Sequence, residues 1–174
     1  MRPDLTSRLG GLARAGIACL AVAAPASAQT VGQADQAGSW KLYVDLSGER
    51  RICFAATQPT ETLPKGANRA PVYFYVSSWP KDGVKTEISV KLGYPIKKDA
   101  PSVLTVNAEA FPLFAEGDRA YIGDQTRELK AIEAMKKGSS MTVQAVSEKG
   151  TATTDTYSLA GVSQALQKLA ANCP

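Results

Sequence analysis

Ser78-Trp79-Pro80-Lys81 has the Ser-x-x-Lys spacing in which a lysine one helical turn away can activate a serine nucleophile. That chemistry needs both side chains on one helix face. Pro80 followed by Asp82-Gly83 instead marks a strand ending in a turn. The chain has no histidine, which removes Ser–His–Asp and Cys–His schemes, the usual zinc motifs and histidine general bases. A phosphate-binding glycine loop and a calcium-loop acid pattern are both absent from the sequence. Glu116, Asp118 and Asp124 are acids that could do proton transfer, but they sit around turns, where capping and solvation are the ordinary roles. No catalytic residue, cofactor site or metal set is assigned. An envelope hydrolase using carboxylates or Ser78 with Lys81 is kept as the enzymatic alternative.

The cysteines point to a different chemistry. Arg2, Arg8 and Arg14 precede an apolar run at 15–24, which ends in Pro25-Ala26-Ser27-Ala28. A positive segment, a short apolar core and small residues at the cut define a cleavable signal peptide over residues 1–28, with Gln29 as the new N-terminus. The apolar run is well short of the roughly 20 residues that span a bilayer. No other segment approaches that length, so no transmembrane segment is expected after cleavage. Cys19 leaves with the peptide, and Gly16 stands where a lipoprotein box has leucine. Cys53 and Cys173 then remain in an oxidising periplasmic or envelope compartment, where pairing them as a disulfide is the simplest expectation. On the chain-entropy model, closing so long a loop stabilises by roughly 4–5 kcal/mol.

The mature chain suits one domain: a flexible polar leader at 29–38, then residues 39–174. The formal net charge is +4, part of it in the signal peptide. So mild an excess lacks the concentrated basic face of a nucleic-acid binder.

The remaining residues must be positioned mainly by strands. Trp40, Leu42, Val44 and Leu46 alternate with Lys41, Tyr43 and Asp45, giving a half-buried strand. The turn at 47–49 leads to a partner strand at 52–56, and the proline-rich stretch 58–71 reads as a long loop. The aromatic, β-branched run 72–76 predicts a central strand. Shorter strands are expected near 87–92, 103–106, 111–114, 120–122, 141–146 and 151–159. Two helices are expected. Asp124 caps the first, with Leu129, Ile132 and Met135 on its apolar face; the second runs over 161–172 and presents Val162, Leu166, Leu169 and Cys173. Regular turn spacing predicts an all-β, two-sheet sandwich, with a small closed barrel as the alternative.

With no chemistry assigned, contact is the leading mode of action. The strand containing Thr151, Thr153, Thr154 and Thr156 has none of the lysines that guard exposed edges, and it is the candidate contact surface. Ordinary β-propensity explains the same threonines. Arg50-Arg51, Lys97-Lys98 and Lys136-Lys137 are basic pairs suited either to an anionic face or simply to solubility.

Several landmarks occur in a fixed order. They are Trp40, Cys53, Arg69-Ala70-Pro71, Gly93-Tyr94-Pro95, Phe111-Pro112-Leu113-Phe114 and the stretch from Gly117 to Tyr121. Met135-Lys136-Lys137-Gly138, the stretch from Gly150 to Leu159, Gly161 and Cys173 complete them. In this order the chain resembles the invasion-associated locus B family of exported alphaproteobacterial proteins, from about Trp40 to Cys173. The resemblance implies an immunoglobulin-like β-sandwich and an envelope location, and the family's name reflects host-cell invasion by pathogenic members. It supplies no catalytic residues. The expectation is a non-catalytic binding module whose partner is another envelope protein or a glycan. A chaperone-like factor that adds a strand to its clients is the further alternative.

Overall fold

The computed structural model describes residues 32–45 and 51–173. The signal peptide, the cleavage point, the 47–49 turn and Arg50 lie outside the described residues. The elements run β1 Gly32–Ala37, β2 Trp40–Asp45, β3 Ile52–Thr57, β4 Glu61–Leu63, β5 Tyr73–Trp79, β6 Val84–Lys91, β7 Ser102–Val106, β8 Glu109–Glu116 and β9 Arg119–Tyr121. Helix α1 Gln125–Lys137, β10 Ser140–Val146, β11 Ala152–Ser158 and helix α2 Val162–Asn172 complete the chain.

The strand order is β1-β2-β3-β5-β6-β9-β8-β7-β10-β11-β4, with antiparallel pairing between named strands. Strand β8 joins two layers. Its residues Glu109 to Leu113 pair with β7, and Phe114 to Glu116 pair with β9. The expected all-β sandwich with two helices is thus built as a continuous ribbon folded over at β8.

Period-two alternation puts Trp40, Leu42, Phe74, Val76, Ile88 and Val90 of the first layer inside. Phe74 meets Tyr157 of the second layer edge-on, with ring centroids 5.6 Å apart, and meets Trp40 at 6.0 Å. The Trp40 indole N–H donates to the Ser158 carbonyl at 3.2 Å. Helix α2 packs against β1, β2, β3 and β5. Cys173, at its C-terminal cap, is disulfide-bonded to Cys53 of β3, with Cα atoms 6.0 Å apart.

Three expectations are corrected. The leader was expected to run through Gly38, but residues 32–37 form β1, and Ala37, paired with Trp40, is buried. Strand propensity in GQADQA is low; the paired backbone of β2 supplies what the side chains do not. The expected loop over 58–71 contains β4, whose Thr62 pairs with Asp155. Three residues are too few to show a period. In α1, Asp124 does cap the helix, accepting from the Arg127 N–H at 2.8 Å. However, the buried stripe is Glu128, Ala131, Ile132 and Met135, while Leu129 is 53 % exposed. The i, i+3, i+4, i+7 stripe is therefore centred one residue from the expected one, and it carries a carboxyl group inward.

Candidate functional site

The threonine strand does not present an open edge. Strand β11 is paired with β10 on one side and with β4 on the other, so Thr154 faces both Gln144 and Leu63, and Thr156 faces both Thr142 and Glu61. Thr153 is only 4 % exposed, Thr151 precedes the strand and is exposed, and Thr154 and Thr156 are half-buried. The unforeseen β4 occupies the ladder that a partner strand would need. Ser78 is buried in β5, and its hydroxyl donates to the Val84 carbonyl at 3.4 Å. Lys81 is exposed on a 3-10 turn, so the two do not share a helix face. Among the described residues, no group of three or more His, Cys, Asp or Glu is placed to hold a metal ion.

Three of the landmark segments converge on one cleft of about 700 Å³, whose lining includes Asn68, Arg69, Tyr94, Lys149 and Thr153. Behind it lies an ion pair: both terminal nitrogens of Arg69 donate to the Asp155 carboxylate, and the two side chains are 7 % and 0 % exposed. Arg69 also reaches the Leu92 carbonyl at 3.4 Å, and its guanidinium lies 5.9 Å from the Tyr94 ring centroid. The Tyr94 and Thr153 hydroxyls are hydrogen-bonded to each other. Burial alone would lower the Arg69 pKa; hydrogen bonding to Asp155 and its charge outweigh that and hold it above its ordinary value. Burial also pushes the Tyr94 and Tyr157 hydroxyls up, so both stay protonated at neutral pH. The guanidinium and the carboxylate are consumed by each other. Arg69 ties its loop to β11 of the second layer and to the end of β6 in the first, which is a clamp between layers.

A second arrangement lies on the outer face of the first layer. Strand register there puts Tyr43, Phe54, Ser77 and Glu87 in one cross-strand row, and Ala56, Tyr75, Ser89, Tyr121 and Phe114 in the next. Tyr43 stacks on Phe54 at 4.9 Å, and Phe54 meets Tyr75 at 5.9 Å. Tyr73 lies 5.8 Å from Tyr75, and Tyr121 stacks on Phe114 at 5.3 Å. The Arg119 guanidinium lies 5.4 Å from the Tyr75 ring centroid. These rings are half-buried, except Phe114, which is 49 % exposed.

Ser77 and Ser89 are small and buried between the large side chains, and their rows enclose a groove of about 470 Å³. Phe54, Tyr75, Trp79, Glu87, Arg119 and Tyr121 are among its walls. A smaller depression of about 180 Å³, lined by Lys41, Tyr43 and Tyr73, continues along the same face. Burial raises the pKa values of Tyr75 and Tyr121, opposed in both by the Arg119 charge, so both hydroxyls remain donors at neutral pH. The sequence reading missed this face. Its signal was present, since Tyr43, Tyr73 and Tyr75 all occupy the outward phase of strands whose inward phase is apolar.

Fold and sites together define a small two-layer antiparallel β protein, closed by a disulfide from its C-terminal helix and carrying an aromatic outer face. The family model for invasion associated locus B (IalB) protein matches residues 40–170, and the chain belongs to that family. It is also similar to the crystal structure of invasion associated protein b from Bartonella henselae, with a TM-score of 0.57 and 18 % sequence identity. That similarity covers 79 % of this chain and 94 % of the other, and it concerns the fold. No curated protein matches the sequence. Among the described residues, no helix is long and apolar enough to cross a membrane.

Proposed function

We propose that this protein is an exported, envelope-associated binding module that acts by contact through the aromatic outer face of its first layer. The observation that carries this reading is the ladder of half-buried rings Tyr43, Phe54, Tyr75 and Tyr73, with Tyr121 stacked on the exposed Phe114 on the same face, around a groove. Aromatic side chains with polar tips supply contact area at low conformational cost, and they are enriched where proteins recognise ligands and partners. Membership of a family named for invasion suits a protein that works by touching something outside the cytoplasm.

The other two readings have less support. For hydrolysis, Ser78 is buried in its strand while Lys81 lies on an exposed turn, and no observation marks Asp45 or Glu87 of the groove as an acid or base. For strand addition, the end strands of the ribbon are β4, three residues long, and β1, which carries a register shift between Gln33 and Asp35 and an Asp35–Lys168 ion pair. Shortness, bulges and charge are the devices that blunt an edge.

The test is affinity capture from the native envelope with the tagged, processed protein, comparing wild type with a Tyr43→Ala/Tyr75→Ala variant by mass spectrometry. The reading expects captured material to fall with circular dichroism and the disulfide unchanged. Equal capture by both proteins would overturn it. Intact-mass measurement of the same preparation should give Gln29 as the first residue.

A further inference from the structure

We infer that the first half of α1 is a proton-controlled arm: protonated Glu128 latches it to β6, and the arm opens as that carboxyl ionises. This goes beyond the reading of the outer face and does not depend on it.

The arm is defined by how little holds it. Across residues 123–130 every residue is exposed except Glu128, which is 5 % exposed. Ile122 before this stretch is buried, and Ala131, Ile132, Ala134 and Met135 after it form the apolar side of the helix. The turn into α1 and its first six residues therefore rest on the protein through a single side chain, and that side chain is a carboxyl. The far end of the helix is anchored. Gly138 packs so closely that a Cβ there would lie 2.9 Å from Leu159 and 3.1 Å from Val106. Segments with few buried apolar contacts are the ones that open locally while the rest stays folded.

Glu128 grips an unfinished edge. Strand β9 pairs with only Ser89, Val90 and Lys91 of β6, so the earlier part of β6 has no strand on that side. Glu128 takes the missing place, accepting from the Ile88 N–H and the Thr86 hydroxyl. Its Oε1 is buried and has no partner among the described residues. A protonated carboxyl can sit there, whereas ionisation puts charge on an oxygen that nothing solvates.

No base compensates that charge. Among the described residues, no lysine or arginine forms an ion pair with Glu128. Helix α1 packs against β6, β7, β8 and α2. Strand β7 has no ionisable side chain. Strand β6 brings Glu87, whose charge opposes ionisation, along with Lys85, which is exposed, and Lys91, which pairs with Asp118. Strand β8 brings Glu109 and Glu116, and the α2 lysine, Lys168, pairs with Asp35. On α1's own side, Asp124 lines the same pocket of about 480 Å³ as Glu87 and Glu128, while Arg127 and Lys130 are exposed. Burial, with Glu87 adding to it, holds the closed-arm pKa above the ordinary 4.5. An open arm returns the carboxyl to water. The open population therefore rises with pH, by up to about tenfold per unit, until the closed-arm value is passed.

The experiment is hydrogen–deuterium exchange of the processed, disulfide-bonded protein between about pH 5 and pH 8, with rates corrected for the intrinsic pH dependence of exchange. Peptides from the first half of α1 and from β6 around Ile88 should lose protection as pH rises, by up to about tenfold per unit. Peptides from β3, β5 and α2 should hold theirs. In Glu128→Gln, which keeps the shape and removes the charge, the arm should stay protected throughout. Trypsin gives a second readout, because Arg127 and Lys130 lie in the arm. Near pH 8, cleavage there should be several-fold faster in the wild type than in Glu128→Gln. If that variant does not fold, the wild-type pH series still decides. Protection lost evenly over every strand overturns the inference, since ionisation then loosens the whole protein. Protection of the wild-type arm that does not change with pH overturns it too, as does the same pH dependence in Glu128→Gln.

Discussion

Gly38 and Gly161 stand against each other's backbone. A Cβ on Gly38 would lie 2.2 Å from the Ala160 carbonyl oxygen, and one on Gly161 would lie 2.2 Å from the Ala37 carbonyl oxygen. Both have positive φ, +55° and +89°, and the adjacent Ser39 N–H donates to the Ala160 carbonyl at 3.1 Å. This contact fastens the β1–β2 turn to the start of α2. Alanine at either position should cost about 1–3 kcal/mol from the backbone conformation alone, with the clash adding to it. Urea denaturation gives the answer, and an unchanged midpoint for Gly161→Ala would show that the two turns are not held together.

The Arg69–Asp155 clamp makes a sharper contrast. Arg69→Ala or Asp155→Ala leaves one buried charge without its partner, and either should destabilise by about 3–5 kcal/mol. Replacing both, as in Arg69→Met/Asp155→Leu, removes the orphan and should recover most of that loss. Denaturation curves of the two single variants and the double variant decide it. Simple addition of the single losses would mean that the pair is not a coupled unit.

Glu128 should make stability depend on pH in the direction opposite to an ordinary ion-paired acid. Burial raises its pKa above the usual 4.5, against the opposing effect of hydrogen bonds from Thr86 and Ile88, while Glu87 adds to the rise. Between the unfolded and the raised folded value, the native state binds more protons than the unfolded one. Its stability contribution is therefore present below the ordinary pKa and lost as pH rises through the folded value. Glu128→Gln should raise the melting temperature at neutral pH and flatten the profile above pH 4.5. Melting scans across that window, showing a lower neutral-pH melting temperature for the variant, would refute this.

Thr151 and Thr153 should now behave differently from each other. Thr151→Lys lies on an exposed residue before β11 and should change stability by no more than about 0.5 kcal/mol. Thr153→Lys puts a charge where Tyr94 and the Ala145 carbonyl enclose the hydroxyl, and it should cost on the order of 3 kcal/mol. Comparable small losses for both would restore the open-edge picture of this strand.

Local patterns were enough for several parts of this protein. Alternation in 40–45 and 87–92 marked strands, Asp124 and Gly138 bounded α1, and an even pair of cysteines pointed to the bond between β3 and the end of α2. Each rests on neighbouring residues or on counting, so it is written in the chain itself. The strand character of 32–37 and 61–63 was not, because those segments become strands through the backbones they pair with rather than through their own side chains. Pairing by β4 also turned the threonine strand from an edge into an interior one. Likewise, Arg69 meets Asp155 across 86 residues of sequence, and no local spacing encodes that meeting. The outer face shows the division most directly. Period two marked Tyr43 as outward and the run 72–76 read only as a central strand, while cross-strand register set Tyr43, Tyr73 and Tyr75 on one face with Phe54, Arg119 and Tyr121, with two serines between. Register is a property of paired strands, so only the folded chain could turn outward-facing residues into a groove.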